Sequence, residues 1–232
     1  MVAQCRQTCN TRQGKARTRW AHRMYTSNKR LVLFSSEYHR VVKTGAALDS
    51  VQVMETCEQV RRVADMRAEA FYEDSHFDRF ISTYKKKFSD VEYERLMRSL
   101  DDRDDSVVGT LVALDQPTAE GTVLGCVDVL KASSRGSIHI ETEKNLDGWY
   151  YMKNVVVDPA YRRQGIARQM LLTAEERICS ISSDARGVFV HVELSNVDAV
   201  SLYMSLGYEH EDESVALAPV TVGVVALLSK GL

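Results

Sequence analysis

Trp149-Tyr-Tyr-Met-Lys-Asn-Val-Val-Val-Asp-Pro-Ala-Tyr-Arg-Arg-Gln-Gly-Ile-Ala-Arg168 is the stretch on which the fold of this 232-residue chain turns. Its first nine residues are largely aromatic and β-branched, which suits a strand over 149–157. Asp158-Pro159 ends that strand, because proline has no backbone donor and a fixed φ. A basic turn follows, Arg162-Arg163-Gln164-Gly165. Apolar residues then recur at Ile166, Met170, Ala174, Ile178 and Ile181, which predicts one apolar face on a helix running to about Ser182.

A strand, a basic glycine turn and a helix N-terminus together form an anion cradle. The first N–H groups of a helix have no internal partner, and the helix dipole adds partial positive charge beside them. Gly165 has no Cβ, so a phosphate can approach the backbone closely, and Arg162, Arg163 and Arg168 supply full charges. A Walker loop would need Lys-Ser/Thr after the glycine, and a dinucleotide fingerprint would need three glycines; neither is present. What remains is Arg-x-x-Gly-x-Ala, formed by Arg162, Gly165 and Ala167.

A second stretch lies about thirty residues on, Gly187-Val-Phe-Val-His-Val-Glu-Leu-Ser-Asn-Val-Asp-Ala-Val-Ser-Leu-Tyr-Met-Ser-Leu-Gly-Tyr208. It opens as a strand, Val188 to Glu193. Asn196 is a good N-cap for a short helix from 197 to about 205, and Gly207 fits the left-handed position beyond its end. The two stretches resemble the acetyl-CoA signatures of the GNAT acetyltransferase superfamily. The first is similar to Gln/Arg-x-x-Gly-x-Gly/Ala. The second is similar to Asn-x-x-Ala-x-x-Leu-Tyr-x-x-x-Gly-Phe/Tyr, through Asn196, Ala199, Leu202, Tyr203, Gly207 and Tyr208. The resemblance covers roughly 105–228 clearly and 51–100 loosely.

That resemblance implies an α/β fold with a mixed, mostly antiparallel sheet flanked by helices and splayed between strands four and five. Acetyl-CoA, as cosubstrate, would lie in the splay. Its pantetheine arm would pair with the backbone of Val155, Val156 and Val157, as an added strand does. Its pyrophosphate would sit on Arg162, Arg163, Gln164, Gly165, Ile166, Ala167 and Arg168. A strand-four N–H near Val155 would face the developing oxyanion. Tyr203 would return a proton to the leaving thiolate as general acid. Each assignment has a plainer counterpart. Tyr203, between Leu202 and Leu206, also reads as a core tyrosine, Asn196 as only a cap, and Arg162 and Arg163 as surface charges. A further reading of Asn196 has it both cap the helix and bond the pantetheine amide. His191 and Glu193 alternate on one strand face and are both candidates for the base, with a water chain as the alternative.

The first 48 residues differ in kind. They hold ten Lys/Arg and one acidic residue, Glu37, whereas the remainder holds twenty basic and thirty-one acidic residues. The net charge of −2 thus hides a segment near +9 and a body near −11. An Arg-rich segment with Ser and Thr and without sustained periodicity resembles an organellar transit peptide, here expected to be disordered and followed by one domain over 49–232. A nucleic-acid-binding arm is the competing reading, disfavoured because basic and aromatic residues do not interleave and the body is acidic. There is no run of 18 apolar residues, so no membrane partner is expected. Cysteines at 5, 9, 57, 126 and 179 contain no C-x-x-C pair, which argues against zinc or a disulfide framework and fits a reducing compartment.

The remaining elements follow from periodicity. A short strand is expected at 51–54, a helix from Val60, and a second helix broadly over 76–100 carrying Phe77, Phe80, Ile81, Tyr84, Phe88, Tyr93, Leu96 and Leu100. Lys85-Lys86-Lys87 reads as a solvated face, and Asp101 to Asp105 as an exposed turn without metal-loop spacing. Strands at Val107–Leu114 and Val123–Lys131 flank a hairpin-like loop. Ser133–Asp147 reads as a connection, and Val220–Leu228 as a last strand, with one further terminal strand allowed.

The leader, the segment Arg67-Ala-Glu-Ala-Phe-Tyr-Glu-Asp74 and Tyr-Arg-Arg-Gln-Gly-Ile-Ala together resemble plastid GNAT enzymes of plants and algae that acetylate protein α-amines and lysines. The resemblance implies a plastid stromal location, with the mitochondrial matrix as the alternative. It also implies a protein or peptide amine as partner, and the acidic body suits a cationic acceptor. A small-amine acetyltransferase and a non-catalytic acyl-CoA-binding module are the other readings.

Overall fold

The computed structural model describes residues 51–73, 80–101, 107–118, 120–133, 145–211 and 225–232. In chain order the elements are β1 (Val51–Val53), α1 (Cys57–Phe71), α2 (Ile81–Asp101), β2 (Val107–Leu114), β3 (Val123–Lys131), β4 (Trp149–Val157), a 3-10 turn (Pro159–Tyr161), α3 (Ile166–Ile181), β5 (Gly187–Glu193), α4 (Val197–Ser205), β6 (Glu209–His210) and β7 (Val225–Gly231). The second helix begins later than its periodicity suggests, and Phe77 lies outside the described residues, as do the segment 1–50 and most of 133–147. The last strand runs Val225–Gly231, with 220–224 outside the described residues, and the additional strand, β6, precedes it rather than following it.

The seven strands form one sheet in the order β1-β2-β3-β4-β5-β7-β6. All pairs are antiparallel except β4 with β5. That parallel pairing runs from Trp149 opposite Gly187 to Met152 opposite Val190 and then stops. Both strands continue, β4 to Val157 and β5 to Glu193, while their parallel register ends at Met152 opposite Val190, so the two strands part there. The expected splay is therefore present.

Helices cover both faces. On one, α3 and α4 bury Ile166, Met170, Leu171, Ala174, Ile178, Ala199 and Tyr203 against Tyr150, Met152, Val155 and Val157 of β4 and Val188, Val190 and Val192 of β5. On the other, α1 packs Val60, Val63, Ala64 and Ala70, with Leu96 of α2, on Val112, Leu114, Cys126 and Val156. Ile181, expected on the apolar face of α3, is instead half-exposed at the helix end. Glu175 is buried in that face, where Tyr208 Oη donates to it at 3.0 Å and Lys230 Nζ at 2.6 Å. A paired carboxylate is therefore tolerated where periodicity alone would place an apolar residue.

Two features start α1 and α4 firmly. Thr56 and Gln59 form a capping box, with Gln59 N donating to Thr56 Oγ1 at 3.2 Å. Asn196 caps α4 by accepting from Ala199 N at 3.1 Å. Cys126 is a buried free thiol and Cys179 an exposed one.

Candidate active site at the splay of β4 and β5

The turn between β4 and α3 is shaped by two left-handed residues, Arg163 (φ 64°) and Gly165 (φ 81°). Gly165 is the N-cap of α3 and makes no side-chain cap bond, and no acidic residue occupies the first turn. A Cβ built on Gly165 would meet no atom within 4 Å. The first N–H groups of α3 thus open outward into space, the arrangement that accepts a phosphate.

The three arginines of this region are not equivalent. Arg162 is 7% exposed, and its guanidinium makes two 3.1 Å bonds to the Glu73 carboxylate and a third, from Nε, to the Val157 carbonyl at 3.2 Å. It ties the chain just beyond α1 to the turn, and its charge is spent there. Arg163 is 70% exposed with Nη1 3.2 Å from Asp198, and Arg168 donates to Ser205 at 3.0 Å. Gln164 is exposed, whereas Ile166 and Ala167 are buried side chains that can offer only backbone. Arg62 adds a second tie from α1 to the turn through Asp158, which also caps the 3-10 turn by accepting from Ala160 N at 2.8 Å.

Val155, Val156 and Val157 lie on β4 beyond the point where β5 departs. Their side chains are buried, so the backbone is what this edge presents. Asn196 uses its side-chain oxygen to cap α4. Tyr203 is fully buried on α4, its ring tilted by 59° against Tyr208 at 5.2 Å, and its hydroxyl has no hydrogen-bond partner among the described residues. Burial, with Tyr151 nearby as the lesser cause, pushes the Tyr203 hydroxyl well above its ordinary range, so it stays protonated. A buried orphan hydroxyl costs free energy unless something pairs with it. Its presence fits a site whose partner is a ligand, and the acetyl-CoA thioester is a group that could use such a donor.

On the opposite side of the sheet, Tyr151 Oη and His191 Nδ1 are 3.0 Å apart. They stand on β4 and β5 where the strands begin to separate. Burial pulls His191 down to about 4, so its imidazole is neutral at physiological pH. Glu193, two residues further on, lies within 3.4 Å of Ser195 Oγ. Tyr151 received no role from the sequence, because an aromatic residue in a strand reads as core.

Among the described residues no group of three His, Cys, Asp or Glu side chains could hold a metal ion, and no helix is long and apolar enough to cross a membrane. The family model for the acetyltransferase (GNAT) domain matches residues 106–210. The chain is 28% identical over 191 residues to "GCN5-related N-acetyltransferase 6, chloroplastic" of Arabidopsis thaliana, a match covering 75% of this chain and 63% of that protein's length. Among solved structures, the PaiA N-acetyltransferase of Thermoplasma acidophilum, in complex with coenzyme A, has a TM-score of 0.53 at 17% identity, over 79% of this chain and 99% of that one. A spermidine N-acetyltransferase chimera of Vibrio cholerae SpeG and hSSAT has a TM-score of 0.54 at 17% identity, over 78% and 93%. At those identities the likeness is one of fold. Strand order, splay and glycine-capped helix agree with that match, so residues 106–210 of this chain form an acetyltransferase (GNAT) domain.

Proposed function

We propose that this protein is an acetyl-CoA-dependent N-acetyltransferase acting on protein N-terminal α-amines, lysine side chains or both, by direct transfer within one ternary complex. The observation that carries the reading is the pairing of a protonated, partnerless Tyr203 hydroxyl with a neutral His191–Tyr151 pair at the same splay. One side has a proton to give and the other can take one, as acyl transfer to an amine requires.

Acetyl-CoA supplies an activated acyl carbon. The outward N–H groups at the start of α3, with Arg163 and Arg168, hold its pyrophosphate; Arg162 contributes by fixing the turn. The exposed edge of Val155, Val156 and Val157 pairs with the pantetheine arm, and Asn196 holds the start of α4. His191, oriented by Tyr151, takes the proton from the incoming ammonium. A backbone N–H near Val155 faces the oxygen where charge develops, and Tyr203 Oη gives its proton to the sulfur. The three contributions are respectively base, electrostatic and acid catalysis.

The acceptor class rests on the resemblance to plastid enzymes and on the acidic body. The chloroplastic relative supports a plastid location for the protein, and the basic composition of 1–48 makes that stretch its transit segment, with 49–232 as its one domain. The test follows CoA thiol release with a peptide carrying a free α-amine and an internal lysine, with mass spectrometry locating the acetyl group. Acetyl on either amine is the expected result. Turnover with spermidine but not with peptide would make it a small-amine enzyme, and acetyl-CoA binding without turnover of any amine would make it a binding module.

A further inference from the structure

β3 is a nearly unbroken apolar run, Val123-Leu-Gly-Cys-Val-Asp-Val-Leu-Lys131, with a carboxylate in its middle. Asp128 is 5% exposed and every side of it is engaged. Its Oδ1 accepts from Arg67 Nη2 and from Thr110 Oγ1, both at 2.6 Å. Its Oδ2 accepts from Asn154 Nδ2 at 2.8 Å and lies 3.5 Å from Arg95 Nη2. Arg67 also donates to Glu92 at 2.7 Å, and Arg95 holds Glu92 at 2.7 and 2.9 Å. Burial alone would raise the Asp128 carboxyl; Arg67 and Arg95 more than offset this and hold it well below the usual carboxylate range. A buried charge cluster of this kind is poor value for stability alone, since an apolar packing of equal volume often does as well.

What the cluster grips is informative. Asn154 has φ 53°, a left-handed conformation that costs a non-glycine residue energy and persists only when its surroundings enforce it. It sits in a bulge: Cys126 pairs with Val156 and Asp128 with Lys153, so β4 carries one residue more than β3 across that interval. Both ends of Asn154 are held, its amide by Asp128 and its carbonyl by the Cys126 thiol at 3.7 Å. The bulge lies just past Met152, where β5 leaves β4. A bulge re-aims the backbone groups around it, and here it re-aims those of 154 and 155 at the mouth of the splay.

We propose that Asp128, braced by Arg67 and Thr110, is a positioning residue that fixes the Asn154 bulge and thereby aims the backbone donor for acyl transfer. The inference rests on the proposed function for its catalytic consequence, but the anchor itself does not. Asn154→Gly is the gentle probe: it removes the amide, leaves Arg67 and Asp128 paired, and glycine accepts φ 53° freely. Asp128→Asn is the harsher one, since it removes the counter-charge of a buried guanidinium.

The experiment reads two quantities on the full chain. In steady-state kinetics, Asn154→Gly is expected to lower kcat tenfold or more with the acetyl-CoA Kd within about twofold of wild type, because a small misplacement of a catalytic donor can cost as much as about a hundredfold. Asp128→Asn should do the same, and the double variant should be no worse than the poorer single one, because the two act through one bond. In amide hydrogen exchange, both variants should speed exchange over 153–156 at least tenfold relative to α3 and β7. An unchanged kcat, a loss confined to acetyl-CoA affinity, or additive effects would overturn the catalytic part. Unchanged exchange over 153–156 would overturn the anchor, and this arm remains decisive if Asp128→Asn does not fold, since Asn154→Gly carries it alone. If the wild-type protein turns over no amine, the proposed function fails, while the exchange result still judges the anchor.

Discussion

Tyr203→Phe should make this protein more stable and less active at once, and the two signs together separate a catalytic tyrosine from a core one. The hydroxyl is fully buried, makes no hydrogen bond among the described residues, and is held protonated by its surroundings. Leaving a polar group in that state costs about 1–3 kcal/mol, so deleting one oxygen while keeping the ring should return about 1–2 kcal/mol. For a domain of this size that corresponds to a rise in Tm of roughly 2–8 °C. The tilted ring contact with Tyr208 at 5.2 Å is retained by phenylalanine, so little packing is lost to offset the gain. If Tyr203 donates the proton to the departing thiolate, the same change should lower kcat by about 10²–10⁴. Differential scanning calorimetry of the ligand-free protein, alongside kcat with the best acceptor, reads both. A variant less stable than wild type would show that the hydroxyl has a protein partner. A stabilised variant with unchanged kcat would remove Tyr203 from the chemistry and leave it as core.

His191 is expected to set the acid limb of the pH profile. Its folded value near 4, against an ordinary 6.5, means the limb of kcat/KM should fall near pH 4–5, and His191→Gln should lower kcat at least tenfold and flatten that limb. Because burial depresses the folded value, the associated stability is complete above about 6.5 and is lost as pH falls through about 4. It amounts to at most about 3 kcal/mol by linkage, readable as a smaller Tm loss between pH 7 and 4 in His191→Gln than in wild type. Arg162→Ala should cost about 1–3 kcal/mol of stability, because it removes a buried guanidinium and leaves the partly exposed Glu73 carboxylate unpaired. Arg163→Ala should leave stability within about 0.5 kcal/mol yet weaken acetyl-CoA binding several-fold, more so at low salt, as calorimetric titration would show. Gly165→Val should raise the acetyl-CoA KM by tenfold or more while lowering stability by about 1–2 kcal/mol, since a β-branched residue is strained at φ 81° and its side chain would project into open space in front of α3.

Much of this site was legible from residue order. The β4–turn–α3 unit was readable because its signals are local. A run of strand formers, an Asp-Pro stop, a glycine at φ 81° and a four-residue apolar repeat each act within a few residues. Asn196 as a cap and Gly207 beyond the helix end are local in the same sense. Strand existence, strand order near the two motifs and the position of the splay followed from those signals and from the family pattern.

Contacts between distant segments were a different matter. Nothing near Arg162 announces that Glu73, 89 residues earlier, neutralises it, so the sequence could list three arginines at the turn without ranking them. Ile181 was counted with the apolar face because period is a local property, but exposure at a helix end depends on what the sheet happens to cover. Asp128 interrupts an apolar strand, a visible signal of something special, yet its meaning required Arg67, Thr110 and Asn154 to be brought together from three other elements. Tyr151 and His191 likewise meet only because β4 and β5 run parallel before they part. Short-range sterics and hydrogen bonding, which act within a turn or a strand, were determined by the sequence itself. The pairing of charges and the orphaning of one hydroxyl were decided by the tertiary structure, because they depend on which groups are buried side by side and cut off from water.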